Sequence, residues 1–306
     1  MERPRLIRYA RARDEHGIAL VLVLWVLVLL ALMSAAFLAT TRSEMAIVRA
    51  RIDAARAAAI ADAGVHWAAA RILEASFAGG NVAARAVFDG HEETVEIAQG
   101  VAHVRIQDVG GLVDLNGADK ALLAGLIATI GGDADAARQL ADRIVDFRDR
   151  DDRPQPSGAE DADYRDAGLA HDAKDGPFER VDEVRQILGM PPALATRLLP
   201  YLTVHSASHG VDPRVAPATV LAAVPGLGEA VRNRVLSARE LEMENVFDPT
   251  DNAYFVASSR NIFRIEVLGE SATGGRFLRL AVIRIGGSDQ GFEVLDWTQR
   301  DTIPPR

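Results

Sequence analysis

Carboxylates crowd one stretch of this sequence. In RIVDFRDRDDRPQPSGAEDADY, Asp146, Asp149, Asp151 and Asp152 close a helical run and pass into a loop holding proline and glycine, after which Glu160, Asp161, Asp163 and Tyr164 follow. Side-chain oxygens at alternate positions of a turning loop can converge on one hard cation, and Ca²⁺ takes roughly six to eight oxygens in adaptable geometry. The spacing is not that of an EF-hand, because the glycine and the bidentate glutamate stand at the wrong loop positions. The other reading is a solvated acidic loop, partly neutralised by Arg143, Arg148, Arg150 and Arg153. A two-metal hydrolase would also need ligands from distant segments, and none is identifiable. The seven histidines sit mostly in loops or alone, and no H-E-x-x-H motif or nucleophile elbow is present. The chain reads as non-enzymatic.

A second motif is VLAAVPGLGEAVRNRVL, a helix, a Gly226-Leu227-Gly228 hairpin and a helix. In a DNA-binding helix-hairpin-helix the hairpin amides and the following helix N-terminus meet a phosphate. Here Glu229 would face that phosphate unfavourably, although Arg232 and Arg234 follow a turn later. ILGMPPALATRLL reads as a degenerate second copy with prolines in its hairpin. The alternatives are a compact packing unit and a membrane-anchored DNA-binding module. Net charge of -9 and a pI near 5.3 disfavour indiscriminate attraction to nucleic acid. The absence of cysteine removes disulfides, thiolate metal sites and thiol nucleophiles.

The third feature is Gly17, set between a short leader carrying Arg3, Arg5, Arg8, Arg11 and Arg13 and an apolar run from Ile18 to Ala39 in which only Ser34 is polar. At 1.5 Å per residue that run extends about 33 Å, enough to cross a hydrocarbon core of about 30 Å. The basic leader keeps the N-terminus cytoplasmic and sends the rest outward. An uncleaved signal anchor, with Gly17 incidental, is one interpretation. The apolar run is longer than a secretory signal core and continues into helical sequence, which favours a leader cut elsewhere than at the run's end.

These features need elements to position them. TTRSEMAIVRARIDAARAAAIADAGVHWAAARILEA has no proline and one internal glycine, and extends the anchor as one long helix. Met45, Val48, Ile52, Ala55 and Ala59 form a narrow apolar seam suited to close approach of a helix or a sheet. His66, beside Trp67, reads as a surface or interface residue. Glu93 to Val109 reads as a hairpin turning at Gln99-Gly100, and NIFRIEVLGES, RFLRLAVIRIGG and GFEVLDWTQ read as three more strands. Between them the sequence is helical, with Asn116 or Asp119 capping the first helix. The expected architecture is α+β: a long N-terminal helix packed on an antiparallel sheet, with a large all-helical insert. Its segments are a leader (1–17), a span (18–39), an amphipathic helix with first strands (40–114), the insert (115–257) and C-terminal strands (258–306).

A basic leader ending in glycine, a spanning helix and an amphipathic continuation resemble the type IV prepilin family, in which a prepilin peptidase cuts after the glycine. The resemblance puts the cut between Gly17 and Ile18. Most members carry a glutamate at the fifth mature position, which pairs with the N-terminal amine of a neighbouring subunit; here that residue is Leu22. A subunit without the acid can use its own amine but returns no carboxylate, which makes a terminal position natural.

DVGGLVDLNGADKALLAGLI, VDFRDRDDRPQPSGAEDADYRDAG, PFERVDEVRQILGMPPALATRLLPYLTVHS and VDPRVAPATVLAAVPGL together are similar to the K-class minor pseudopilin of type II secretion systems. That class also lacks the fifth-position glutamate. The resemblance implies a pilin-like fold and a single-pass inner-membrane protein with its C-terminal part in the periplasm. It further implies methylation of the new terminus, partnership with the I- and J-class minor pseudopilins, a place at the pseudopilus tip and no nucleic-acid partner. It implies calcium in the insert, with Asp149, Asp151, Glu160, Asp161 and Asp163 as ligands.

Overall fold

The computed structural model describes residues 16–77, 88–98, 100–241, 251–258, 261–286 and 291–300. Helix α1 spans His16–Phe77, as the proline-free Ala- and Leu-rich sequence requires. The chain divides within it into two compact units, Met1–Asp53 and Ala54–Arg306. In the first, Ala19–Leu38 is long and apolar enough to cross a membrane and is unburied throughout. The leader up to residue 15 and the side chains of Gly17 and Ile18 lie outside the described residues.

In the second unit a five-stranded antiparallel sheet has the order β1-β2-β5-β6-β7, from β1 (Asp89–Ile97), β2 (Gly100–Asp108), β5 (Ile262–Ser271), β6 (Arg276–Ile285) and β7 (Phe292–Arg300). The hairpin closes by pairing Ile97 with Gly100, with Ala98 at φ 51°; Gln99 is outside the described residues. The C-terminal part of α1 covers this sheet through Ile60, Ala61, Val65, Ala68, Ala69 and Ile72, which meet Val104, Ile265, Val267 and Ile283. The seam read from the sequence is not this face. Met45, Val48, Ile52, Ala55 and Ala59 are all exposed, and the buried stripe is rotated from them. Within it Gly64 sets the closest approach: a Cβ there would stand 2.6 Å from Val267 Cγ1, so the helix lies this near β5 because residue 64 has no side chain.

Between β2 and β5 run the helices α2 (Lys120–Gly131), α3 (Ala134–Arg148), α4 (Asp161–Asp166), α5 (Pro192–Leu198), α6 (Ala218–Ala223) and α7 (Glu229–Glu240). A short parallel pair, β3 (Val113–Asp114) with β4 (Leu202–Thr203), lies at their base. Asp119 caps α2 by accepting the Leu122 amide at 3.0 Å. Asn116 is not the cap; it exchanges two hydrogen bonds, 2.7 and 2.9 Å, with the backbone of Phe178. The helices share one core in which Leu122, Leu126, Ile144, Phe147, Leu198 and Leu221 are almost fully buried.

Candidate metal centre

The acidic stretch is held by the last turns of α3. Asp142, Asp146 and Asp149 are spaced by four and three residues, which puts their carboxylates along one face of the helix. The face is anchored from behind: Phe147 packs at 5.2 Å from Phe178 and 6.2 Å from Tyr164, and the Arg148 guanidinium donates to the carbonyls of Leu115 and Ala118. Tyr164, fully buried, accepts the Leu188 amide at 3.1 Å.

The next loop folds back over this face. Asp142 Oδ2 accepts the Ser157 amide at 3.1 Å, and Asp146 Oδ2 accepts the amides of Gln155 (3.1 Å) and Ala159 (2.9 Å). Lys120 ties down the same loop by pairing with Asp142 at 3.2 Å and donating to Gln155 Oε1 at 2.8 Å. The third carboxylate of the face, Asp149, meets no such amide with Oδ1, which is buried without a hydrogen-bond partner. The same holds for Oε1 of Glu160, a residue only 7% exposed at the start of α4.

The other sequence-read ligands are placed differently. Asp151 Oδ1 accepts the Arg153 amide at 3.0 Å. Asp161 Oδ1 accepts the Ala173 amide at 3.1 Å, and its other oxygen lies 3.6 Å from Arg165. Asp163 Oδ2 accepts the Glu160 amide at 2.9 Å and so serves the start of α4. Asp175, at φ 51°, joins the cluster from the following turn and escaped the sequence reading. Its only signal there was a Lys-Asp-Gly-Pro turn, a pattern common at any surface.

Packing these groups together makes them weaker acids. Burial, and then the neighbouring Asp149 and Asp142 charges, push Asp146 up to about 6 against two backbone hydrogen bonds that lower it. Burial pushes Glu160 up to about 7, reinforced by Asp146, Asp149, Asp175 and Asp152. Asp149 and Asp175 are also raised, first by burial and then by adjacent acids. Two buried carboxylate oxygens without donors, amid mutually repelling acids, form a donor set suited to a hard cation. Among the described residues no three such groups already converge in a metal-holding arrangement, so a cation would have to draw them inward.

The Gly226 hairpin joins α6 to α7, with Gly226 at φ 72°; Gly189 at φ 74° plays the same part between a 3₁₀ turn at Val181–Gln186 and α5. Glu229 opens α7 and stands 3.8 Å from Arg232, so the basic side chain nearest the hairpin already faces an acid. Leu22 is exposed on the apolar part of α1, and the His66 ring is 6.5 Å from that of Trp297.

Residues 108–207, which enclose the acidic stretch, match the family model of type II secretion system protein K. A curated relative, type II secretion system protein K of Pseudomonas aeruginosa PAO1, is 30% identical over 153 residues, 47% of this chain and 46% of that protein. The match thus spans less than half the length of this relative. A chain in the crystal structure of the GspK-GspI-GspJ complex from the enterotoxigenic Escherichia coli type 2 secretion system shares the fold. Its TM-score is 0.53 at 18% identity, over 86% of this chain and 99% of that one. None of these comparisons supports the DNA-binding alternative.

Proposed function

We propose, from the match of residues 108–207 to the protein K family of type II secretion systems, that this chain is a non-enzymatic minor pseudopilin seated at the tip of a pseudopilus. The observation that carries the proposal is the order of its parts: a leader ending in Gly17, an apolar span with Leu22 where filament subunits carry an acid, and then a protein K region. After cleavage the amine of Ile18 pairs with the carboxylate of a neighbouring subunit inside the bilayer. Leu22 offers no carboxylate in return, so subunits add on one side only. The bulk of the segment between β2 and β5 favours the same end position, because a shaft would have to repeat it. The partners are the I- and J-class minor pseudopilins, and the second unit faces the periplasm.

Three results test this. N-terminal sequencing of protein extracted from inner membranes should begin at Ile18; a start at Met1 with secretion intact would sink the processing step. The membrane-extracted chain should co-purify with the I- and J-class pseudopilins of its own system. Labelled copies should number about one per pseudopilus, and copies spaced along the shaft would remove the tip assignment.

We further propose calcium in the acidic cluster, with Asp149 and Glu160 supplying open oxygens and Asp151, Asp161 and Asp163 completing the set after leaving their present partners. Bound calcium would neutralise the cluster and hold the loop against α3. A ligand that binds only the folded chain raises its melting temperature by mass action. Melting in millimolar Ca²⁺ should exceed melting in chelator by several degrees, and identical curves would discard the ion.

A further inference from the structure

The loop that delivers Glu160 has little of its own to hold it. Residues 153–159 contain two prolines, Pro154 and Pro156, and no helix or strand. Their position comes from α3. Gln155 and Ala159 donate their amides to Asp146, Ser157 donates to Asp142, and Glu160 follows Ala159 directly. Asp146 itself is fully buried on that helix and next to the Phe147 aromatic contacts. The fit around it is tight. A Cβ on Gly158 would collide with Asp146 Oδ2 and approach the Gln155 nitrogen to 2.9 Å, so the loop passes over the carboxylate only because residue 158 has no side chain.

We propose that Asp146 is a positioning residue for the cation site: by gathering the Gln155 and Ala159 amides beneath Gly158, it sets where Glu160 presents its open oxygen beside Asp149. This rests on the calcium reading above. The three acids of the α3 face then divide their work. Asp142 and Asp146 are occupied by loop amides, and Asp149 is left for the ion. Asp146 acts through the backbone it binds rather than on the metal. Groups that orient metal ligands in this way typically change affinity by about 10- to 100-fold when altered.

The experiment is calcium titration calorimetry on the full chain in detergent, with amide hydrogen exchange in chelator. Asp146→Asn keeps one acceptor oxygen for the two amides and turns an N–H₂ toward the Gln155 amide, which also lies 3.2 Å from Oδ1. It should weaken calcium binding about tenfold or more and remove exchange protection at Gln155 and Ala159. Gly158→Ala should weaken binding similarly, while the melting temperature in chelator reports whether either variant still folds. Removing the main obstacle supplies the internal check: Asp146→Ala combined with Gly158→Ala should bind no worse than Asp146→Ala alone, because the carboxylate the methyl would strike is gone and the loop, no longer tied to it, can shift Gln155. Binding within about twofold of the unaltered chain in both Asp146→Asn and Gly158→Ala, or full additivity in the double variant, would overturn the positioning role alone. No calcium binding by the unaltered chain would overturn the ion and with it this role, and the exchange data would still show whether Asp146 holds the loop.

Discussion

Gly269 of β5 lies directly under the carbonyl oxygen of Ala57 in α1. A Cβ on Gly269 would run into that oxygen and stand 2.7 Å from the Ala61 nitrogen, so helix and sheet meet here backbone to backbone. Neither backbone can move without disturbing Val65, Ala68 and Val267 in the same core. Gly269→Ala should therefore cost about 1–3 kcal/mol, the usual penalty for overfilling a packed interior. Gly228, with open space around it and an ordinary extended backbone, supplies the control, and Gly228→Ala should cost under about 1 kcal/mol. Denaturant unfolding of the two variants in detergent checks the difference; equal losses would mean that the close approach is not needed.

Glu160 carries the pH prediction. Its acid is pushed up to about 7 by burial and then by the surrounding carboxylates, from an ordinary value of 4.5. An acid with a raised native pKa holds its proton more tightly when folded. Its stabilising contribution is complete below the ordinary value and is lost as pH rises through the native one. In chelator, Glu160→Gln should thus gain stability over the unaltered chain progressively between about pH 4.5 and about pH 7. If Glu160 is a calcium ligand as proposed, saturating calcium should reverse the order at the upper end. Unfolding midpoints at several pH values read both effects; a gap that does not change with pH would show that Glu160 is not strained by its neighbours.

Different parts of this molecule were legible to different degrees, for physical reasons. The hairpin and the three later strands announced themselves by β-branched alternation and glycine turns, and they fall within a few residues of where the pattern put them. The long helix was equally plain, but its buried face was not. Met45, Val48 and Ile52 stand N-terminal to the part of the helix that meets the sheet, and within that part Ala55 and Ala59 are as small as the buried Ala57 and Ala61, so side-chain type alone does not mark the covered face. Asp119 and Asn116 both suit a cap, and only the distance to Phe178 separates their roles. In the acidic stretch, composition marks the cluster, whereas which oxygens stay open depends on amides brought back by the loop. Asp146 and Asp149 are alike in sequence, and the turn at Gly158 alone gives one of them to the backbone.

Asp114 joins the two short parallel strands through a single buried carboxylate. Its Oδ1 accepts the amides of Asn116 (2.8 Å) and Gly117 (3.0 Å), and its Oδ2 accepts the Ser206 hydroxyl (2.9 Å) and the Ala207 amide (2.8 Å). Asp114→Ala would leave four donors without their acceptor, among them the buried Ser206 hydroxyl and three less buried amides, at a cost of about 3–5 kcal/mol. That corresponds to a fall of roughly 10 °C in melting temperature. Asp114→Asn keeps one acceptor oxygen and should lose about half as much. A melting temperature unchanged in Asp114→Ala would show that water replaces the carboxylate and that the turn at Asn116 is held by Phe178 alone.

Leu22 offers the test of the tip position itself. It lies on the apolar stretch Ala19–Leu38, four residues beyond Ile18. An unpaired carboxylate costs about 2.5–3.5 kcal/mol at the centre of a bilayer and less toward its faces, so Leu22→Glu, near one end of the span, still gives the chain a reason to accept the amine of another subunit. If the missing acid is what ends the filament, this variant should be followed by further subunits. Copies per pseudopilus, counted by labelling, should then rise above about one, and cross-links from residue 22 should reach a second neighbour. Leu22→Gln is the matched control, since it is polar at the same place but cannot neutralise an ammonium. Pseudopili that still carry one terminal copy of Leu22→Glu would show that bulk beyond the membrane, rather than charge inside it, keeps the chain at the end.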